Sequence, residues 1–154
     1  MAPGTGQPDI PGQLVVQMDD VTATENGGLR PSTIINQPNT FTLSTTFTIQ
    51  DTFAGLLDGD KFDVQHYFTR IEDNKVVKRV GGTVTAALVA GKIVMPYTST
   101  PFTTGNDGDG KDLEVPPGET EGNFRVLTQL VAQDPGVRAI VAAFQDGLLL
   151  EVLQ

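Results

Sequence analysis

Thr40 to Gln50 alternates without a break between two chemistries. Phe41, Leu43, Thr45, Phe47 and Ile49 fall on one side, and Thr40, Thr42, Ser44, Thr46, Thr48 and Gln50 fall on the other. A period of two sends successive side chains to opposite faces of an extended chain, and β-branched and aromatic residues suit a pleated, half-buried surface. The segment is therefore a strand with one buried face. Such a strand needs neighbours to pair its backbone and a second layer to cover its apolar side.

The remaining chain supplies further strands. Lys61 to Glu72 alternates in the same way, with Phe62, Val64, His66 and Phe68 opposed to Asp63, Gln65, Tyr67 and Thr69. Leu14, Val16 and Met18 share one side of Gln13–Met18, and Asn26-Gly27-Gly28 supplies a later turn. Asp73-Asn74 predicts a hairpin into Lys75–Val80, Gly81-Gly82 a break before Thr83–Val89, and Ala90-Gly91 a turn into Lys92–Tyr97. Pro96 is expected to end or bulge that last strand, because it has no N–H to give to a ladder. Phe53, Leu56 and Leu57 have the spacing of a single helical turn. Thr104–Gly122 reads as a long polar loop with a turn at Pro116-Pro117-Gly118. Beyond it, Asn123–Gln133, Val137–Phe144 and Leu148–Leu153 are strands separated by Asp134-Pro135-Gly136 and Asp146-Gly147.

With no amphipathic stretch long enough for a major helix, the expected fold is all-β. Uneven connections favour an antiparallel β-sandwich of about eight strands, immunoglobulin-like in architecture, and a small closed β-barrel is the alternative. Residues 1–12, with three Pro and three Gly, are expected to form a flexible N-terminal arm, and 13–154 a single β-sandwich domain.

Composition narrows the function. Nineteen Asp and Glu against ten Lys and Arg leave a net charge of −9, which repels phosphate backbones and anionic surfaces, so nucleic acid is not an expected partner. The absence of Cys removes disulfides, thiolate nucleophiles and thiolate metal sites. No apolar run approaches ~18 residues, and the first residues lack the basic and apolar regions of a signal peptide. The chain as given is expected to be soluble, with no membrane insertion.

Chemistry-bearing residues are few. His66 is the only histidine, on the apolar face of its strand. A structural imidazole with both nitrogens satisfied locally is the expected reading, and a pH-sensitive core contact the sharper one. Asp107, Asp109, Asp112, Glu114, Glu119 and Glu121 face only Lys111 in residues 106–121, a net of −5. Within it, Asp107, Asp109 and Asp112 resemble an oxygen-rich calcium loop, although Lys111 takes a ligand position and Asp112 stands where an EF-hand has Gly. A solvated acidic loop is the competing reading. Asp58 and Asp60 near Asp63, and Asp19-Asp20, are acid pairs, but a chain with no Trp and two Tyr lacks the aromatic platforms of a sugar cleft. Gly4-Thr5-Gly6 and Gly81-Gly82 match no phosphate-cradling motif. Lys75, Lys78 and Arg79 either blunt an edge strand or receive the acidic loop of a neighbouring copy.

The expected function is that of a non-catalytic structural or protein-interaction module. It would act through assembly or docking to a partner, either another protein or a second copy, with no catalytic residue. The alternative is a ligand-binding β-domain, dependent on calcium through the Asp107–Asp112 loop or built around a small apolar cavity.

Overall fold

The computed structural model describes residues 16–28, 30–49, 58–105, 113–116, 118–133 and 141–154. Among them there is no helix. The strands are β1 (Val16–Met18), β2 (Thr22–Glu25), β3 (Ile34–Asn36), β4 (Thr40–Ile49), β5 (Lys61–Arg70), β6 (Val76–Thr85), β7 (Leu88–Val89), β8 (Lys92–Thr98), β9 (Phe102–Thr103), β10 (Glu121–Ala132) and β11 (Val141–Leu153).

They divide between two sheets. The first, sheet A, runs β1-β4-β8-β7, with β2 and β9 also paired to β4; sheet B runs β3-β11-β10-β5-β6 and curls as half a barrel. Every pairing is antiparallel except β3 with β11, which is parallel. The described strands thus form two layers, not one closed ring. The inward residues of both layers make one core, in which Phe41 and Phe47 of β4, Phe68 of β5 and Phe124 of β10 are fully buried. Phe41, Phe68 and Phe102 meet at ring-centroid distances of 5.5–6.1 Å and tie the sheets together. Edge-to-face and tilted geometries of this kind suit the ring quadrupoles.

Three sequence expectations need correction. Gly81-Gly82 does not break the chain: β6 is continuous, and Val64 pairs Gly82 while Gln65 pairs Val80, so Gly81 is one extra residue in a β-bulge. Asp146-Gly147 is likewise no hairpin turn. Val126 pairs Leu148 and Thr128 pairs Gln145, so two residues of β11 oppose Leu127 alone. Pro96 neither ends nor bulges β8, because it pairs with Thr46 in mid-strand. The Thr46 carbonyl accepts from the Asp19 N–H on the far side of β4, so Thr46 and Pro96 form a non-hydrogen-bonded pair. The missing N–H of Pro96 therefore points away from β4, beyond the reach of the two-residue β7.

Candidate functional site

Burial first selects a polar bridge. Alternation along β5 turns His66 inward, where it is fully buried. Its Nδ1 lies 2.8 Å from Thr128 Oγ1 on β10, and its Nε2 lies 2.7 Å from the Tyr97 hydroxyl on β8. The bridge therefore crosses from sheet B to sheet A. A neutral imidazole has one donor and one acceptor, so the chain of hydrogen bonds can run in either direction without a charge. Burial holds the imidazole down to about 4 and pushes the Tyr97 hydroxyl upward. The bulge at Gly81 makes room for this arrangement, since a Cβ there would overlap the Tyr97 hydroxyl and lie 2.9 Å from His66 Nε2. Both nitrogens of His66 are satisfied within the core, so it stands as an internal strut with no open side for substrate.

A buried cation was not singled out by the sequence, although its place in the inward alternation of β5 was a usable signal. Arg70 ends β5 facing inward, and Asp73 grips it through Nε at 2.9 Å and Nη2 at 2.6 Å. Its Nη1 donates to the Glu114 carbonyl at 3.0 Å, joining the β5–β6 hairpin to residues 113–116. The paired guanidinium holds the Asp73 carboxyl down at about 2 and is itself stabilised in its charged form.

The acid pairs do not converge on a common reaction centre. Asp58 accepts from the Leu88 N–H at 2.8 Å, fixing the start of β7. Asp63 accepts from Gln133 Nε2 at 2.8 Å and from the Thr83 hydroxyl at 3.2 Å. Asp19 and Asp20 sit at the rim of an open groove of about 340 Å³ on the outer face of sheet A. Its floor is made of Thr22, Ser44, Thr46, Pro96 and Thr98, so this concavity is hydroxyl-lined and not the apolar cavity the sequence allowed for. No group of three or more His, Cys, Asp or Glu among the described residues is arranged to hold a metal. Asp107, Asp109 and Asp112 lie outside the described residues, as do residues 1–12 and the turn at Phe53, Leu56 and Leu57.

The two outer faces differ in chemistry. On sheet A, β4 presents only hydroxyls, from Thr40 through Thr48, and the exposed apolar residues Val94 of β8 and Leu88 and Val89 of β7 lie toward its edge with no arginine or tyrosine among them. On sheet B, three rows of cross-strand neighbours span β10, β5 and β6: Arg125–Thr69–Val76, Leu127–Tyr67–Lys78, and Gln129–Gln65–Val80. Val76 is 59% exposed and Val80 52%, and Leu149, opposite Arg125, is 55% exposed. The block holds two cations and no carboxylate, and Lys78 Nζ lies 5.6 Å from the centroid of the Tyr67 ring. Neither Arg125 nor Lys78 forms a salt bridge among the described residues. The outer side of β6 also has no paired strand among them. This face went unrecognised in the sequence because β10 joins the β5–β6 hairpin across more than fifty positions of chain.

No helix among the described residues is long and apolar enough to cross a membrane. No protein-family model matches the chain, and no curated protein matches it.

Proposed function

We propose that this chain is a non-catalytic interaction module, an immunoglobulin-like β-sandwich that works by docking through the outer face of sheet B. The observation that carries the proposal is the block of Val76, Val80, Lys78 and Arg125 with Leu149 beside it. Exposed large apolar side chains gathered around arginine, lysine and tyrosine have the composition of an interface centre more than that of a solvated surface. The immunoglobulin-like reading draws support from strand order. Lettered along the chain, β4 and β8 take positions B and E beside β7 as D, while β11, β10, β5 and β6 take G, F, C and C′. The cysteine pair and tryptophan of antibody domains are absent, and His66, Tyr97 and Thr128 span the layers instead.

A pull-down from the native source with wild type and with Val76→Glu/Val80→Glu tests the docking face. Partners retained by wild type and lost by the variant fit the reading. Equal retention by both would refute it. A second reading, a ligand-binding β-domain, draws on the hydroxyl-lined groove of about 340 Å³ beside Asp19 and Asp20. That volume falls near the lower end for small-molecule sites, but the groove is open and has only Pro96 and Tyr97 as apolar lining to bury a ligand.

A further inference from the structure

Asn26-Gly27 is the only Asn-Gly pair in the chain. It sits at the end of β2, where residues 25–28 form a β-turn closed by the Gly28 N–H donating to the Glu25 carbonyl at 2.8 Å. Gly27 takes the positive φ of 82° that the third position of a type II turn requires. Asn26 and Gly27 are both exposed. Among the described residues the Asn26 side-chain amide and the Gly27 N–H make no hydrogen bond, and a Cβ built on Gly27 would meet nothing within 4 Å. The two groups that an intramolecular cyclisation needs therefore stand side by side in water, unengaged. One hydrogen bond spans the turn, so little opposes the rotation of the peptide between them that brings them into contact.

Asp58-Gly59 offers the same two groups in sequence, but the fold occupies both. The Asp58 carboxylate accepts from the Leu88 N–H at 2.8 Å, and the Gly59 N–H donates to the Ala86 carbonyl at 2.7 Å. Asn39 and Asn123 are engaged as well, their amides donating to Glu25 at 3.1 Å and to Glu72 at 3.2 Å. Their following residues, Thr40 and Phe124, also carry side chains that crowd the attacking nitrogen, as Gly27 does not.

We propose that Asn26 is a site of spontaneous modification, at which the folded chain converts its own asparagine to isoaspartate and aspartate. The Gly27 nitrogen loses its proton to hydroxide and attacks Asn26 Cγ. The N–Cγ bond forms, the Cγ–Nδ2 bond breaks, and ammonia leaves with a proton from water, closing a five-membered succinimide. Water then adds to one of the two ring carbonyls. Addition at Cγ gives aspartate on the original backbone, and addition at the Asn26 backbone carbonyl leaves the chain running through Cγ as isoaspartate. Either product replaces a neutral amide with a carboxylate. Isoaspartate also lengthens the backbone beside Glu25, whose carboxylate holds the Asn36 N–H at 2.7 Å and the Asn39 amide.

Peptide mapping by mass spectrometry, on protein kept in warm, mildly alkaline buffer, tests the assignment. The peptide spanning Asn26 should gain one mass unit and split into two chromatographic species. It should do so at least about tenfold faster than peptides spanning Asn74 or Asn123, where a side chain follows the asparagine. The Asp58 peptide should stay a single species in the folded protein and split, with no change of mass, once urea removes its hydrogen bonds, whereas Asn26 should convert in both conditions. Asn26→Gln should abolish the more acidic form that anion exchange resolves from aged wild type. An Asn26 peptide that stays unchanged, or that converts only in urea, would overturn the proposal, as would an Asp58 peptide that converts as fast as Asn26 in the folded protein.

Discussion

Acid should loosen this protein through a single buried imidazole. His66 is neutral in the folded chain because burial holds its pKa at about 4, whereas the unfolded chain protonates near the ordinary value of 6.5. Between those two values the unfolded state binds the extra proton. The stability associated with the neutral ring is therefore complete above pH 6.5, declines as pH falls through the window, and is lost below about 4. A separation of roughly 2.5 pH units at about 1.4 kcal/mol each corresponds to roughly 3 kcal/mol. His66→Gln removes this proton linkage. It also leaves the Tyr97 or Thr128 hydroxyl without its partner, at about 1–3 kcal/mol near neutrality. Urea unfolding followed by far-UV circular dichroism from pH 8 to pH 3.5 measures both, and the difference curve between wild type and variant cancels the carboxylates they share. That difference, wild type minus variant, should fall by roughly 3 kcal/mol as pH goes from 7 to 4, so that it reaches zero or reverses sign. A flat difference curve would refute the reasoning, because it would mean that the ring is not held neutral by burial.

Other outcomes follow from the same geometry. Gly81→Ala forces a methyl group into the Tyr97 hydroxyl and should cost about 2–4 kcal/mol in urea unfolding, while the equally cautious Gly91→Ala, with open space around it, should suffer only from its positive φ. Asp73→Asn leaves the inward Arg70 guanidinium without its carboxylate and should lower the melting temperature by several degrees at pH 7, an effect that fades as wild type is acidified toward pH 2, where Asp73 itself protonates. A melting temperature unmoved by the substitution would remove Arg70 from the account of how residues 113–116 are held. Adding about 1 mM calcium separates the two readings of the Asp107, Asp109 and Asp112 loop: a site with a dissociation constant near 10 μM would add about 2.7 kcal/mol to stability, and a solvated acidic loop would leave the melting temperature unchanged.

Long alternating strands were legible because one face is buried and the other is not. β4 and β5 match Thr40–Gln50 and Lys61–Glu72 to within two residues at their ends. The strands β2, β3 and β9 were not legible. Each has two to four residues, too few for a period to emerge, and each owes its conformation to a longer neighbour such as β4 or β11. Glycine misled in two places for one physical reason: its freedom serves a turn and a bulge equally, and only the register of the partner strand separates them. The inward side of His66 could be read from alternation, but its partners stand 31 and 62 residues away. The outer face of sheet B was hidden similarly. Each strand shows which of its residues point outward, but the neighbours that turn Arg125, Tyr67 and Lys78 into one surface are set by the order of strands in the sheet.

The central claim is that the outer face of sheet B, and not that of sheet A, is where this protein meets its partners. Amide chemical shifts recorded on a ¹⁵N-labelled sample, as a partner captured from the native source is added, test it residue by residue. The account predicts shifts at Tyr67, Val76, Lys78, Val80 and Arg125, with Thr42 to Thr48 unchanged. Shifts centred on the threonines of β4, or none at all on sheet B, would contradict it.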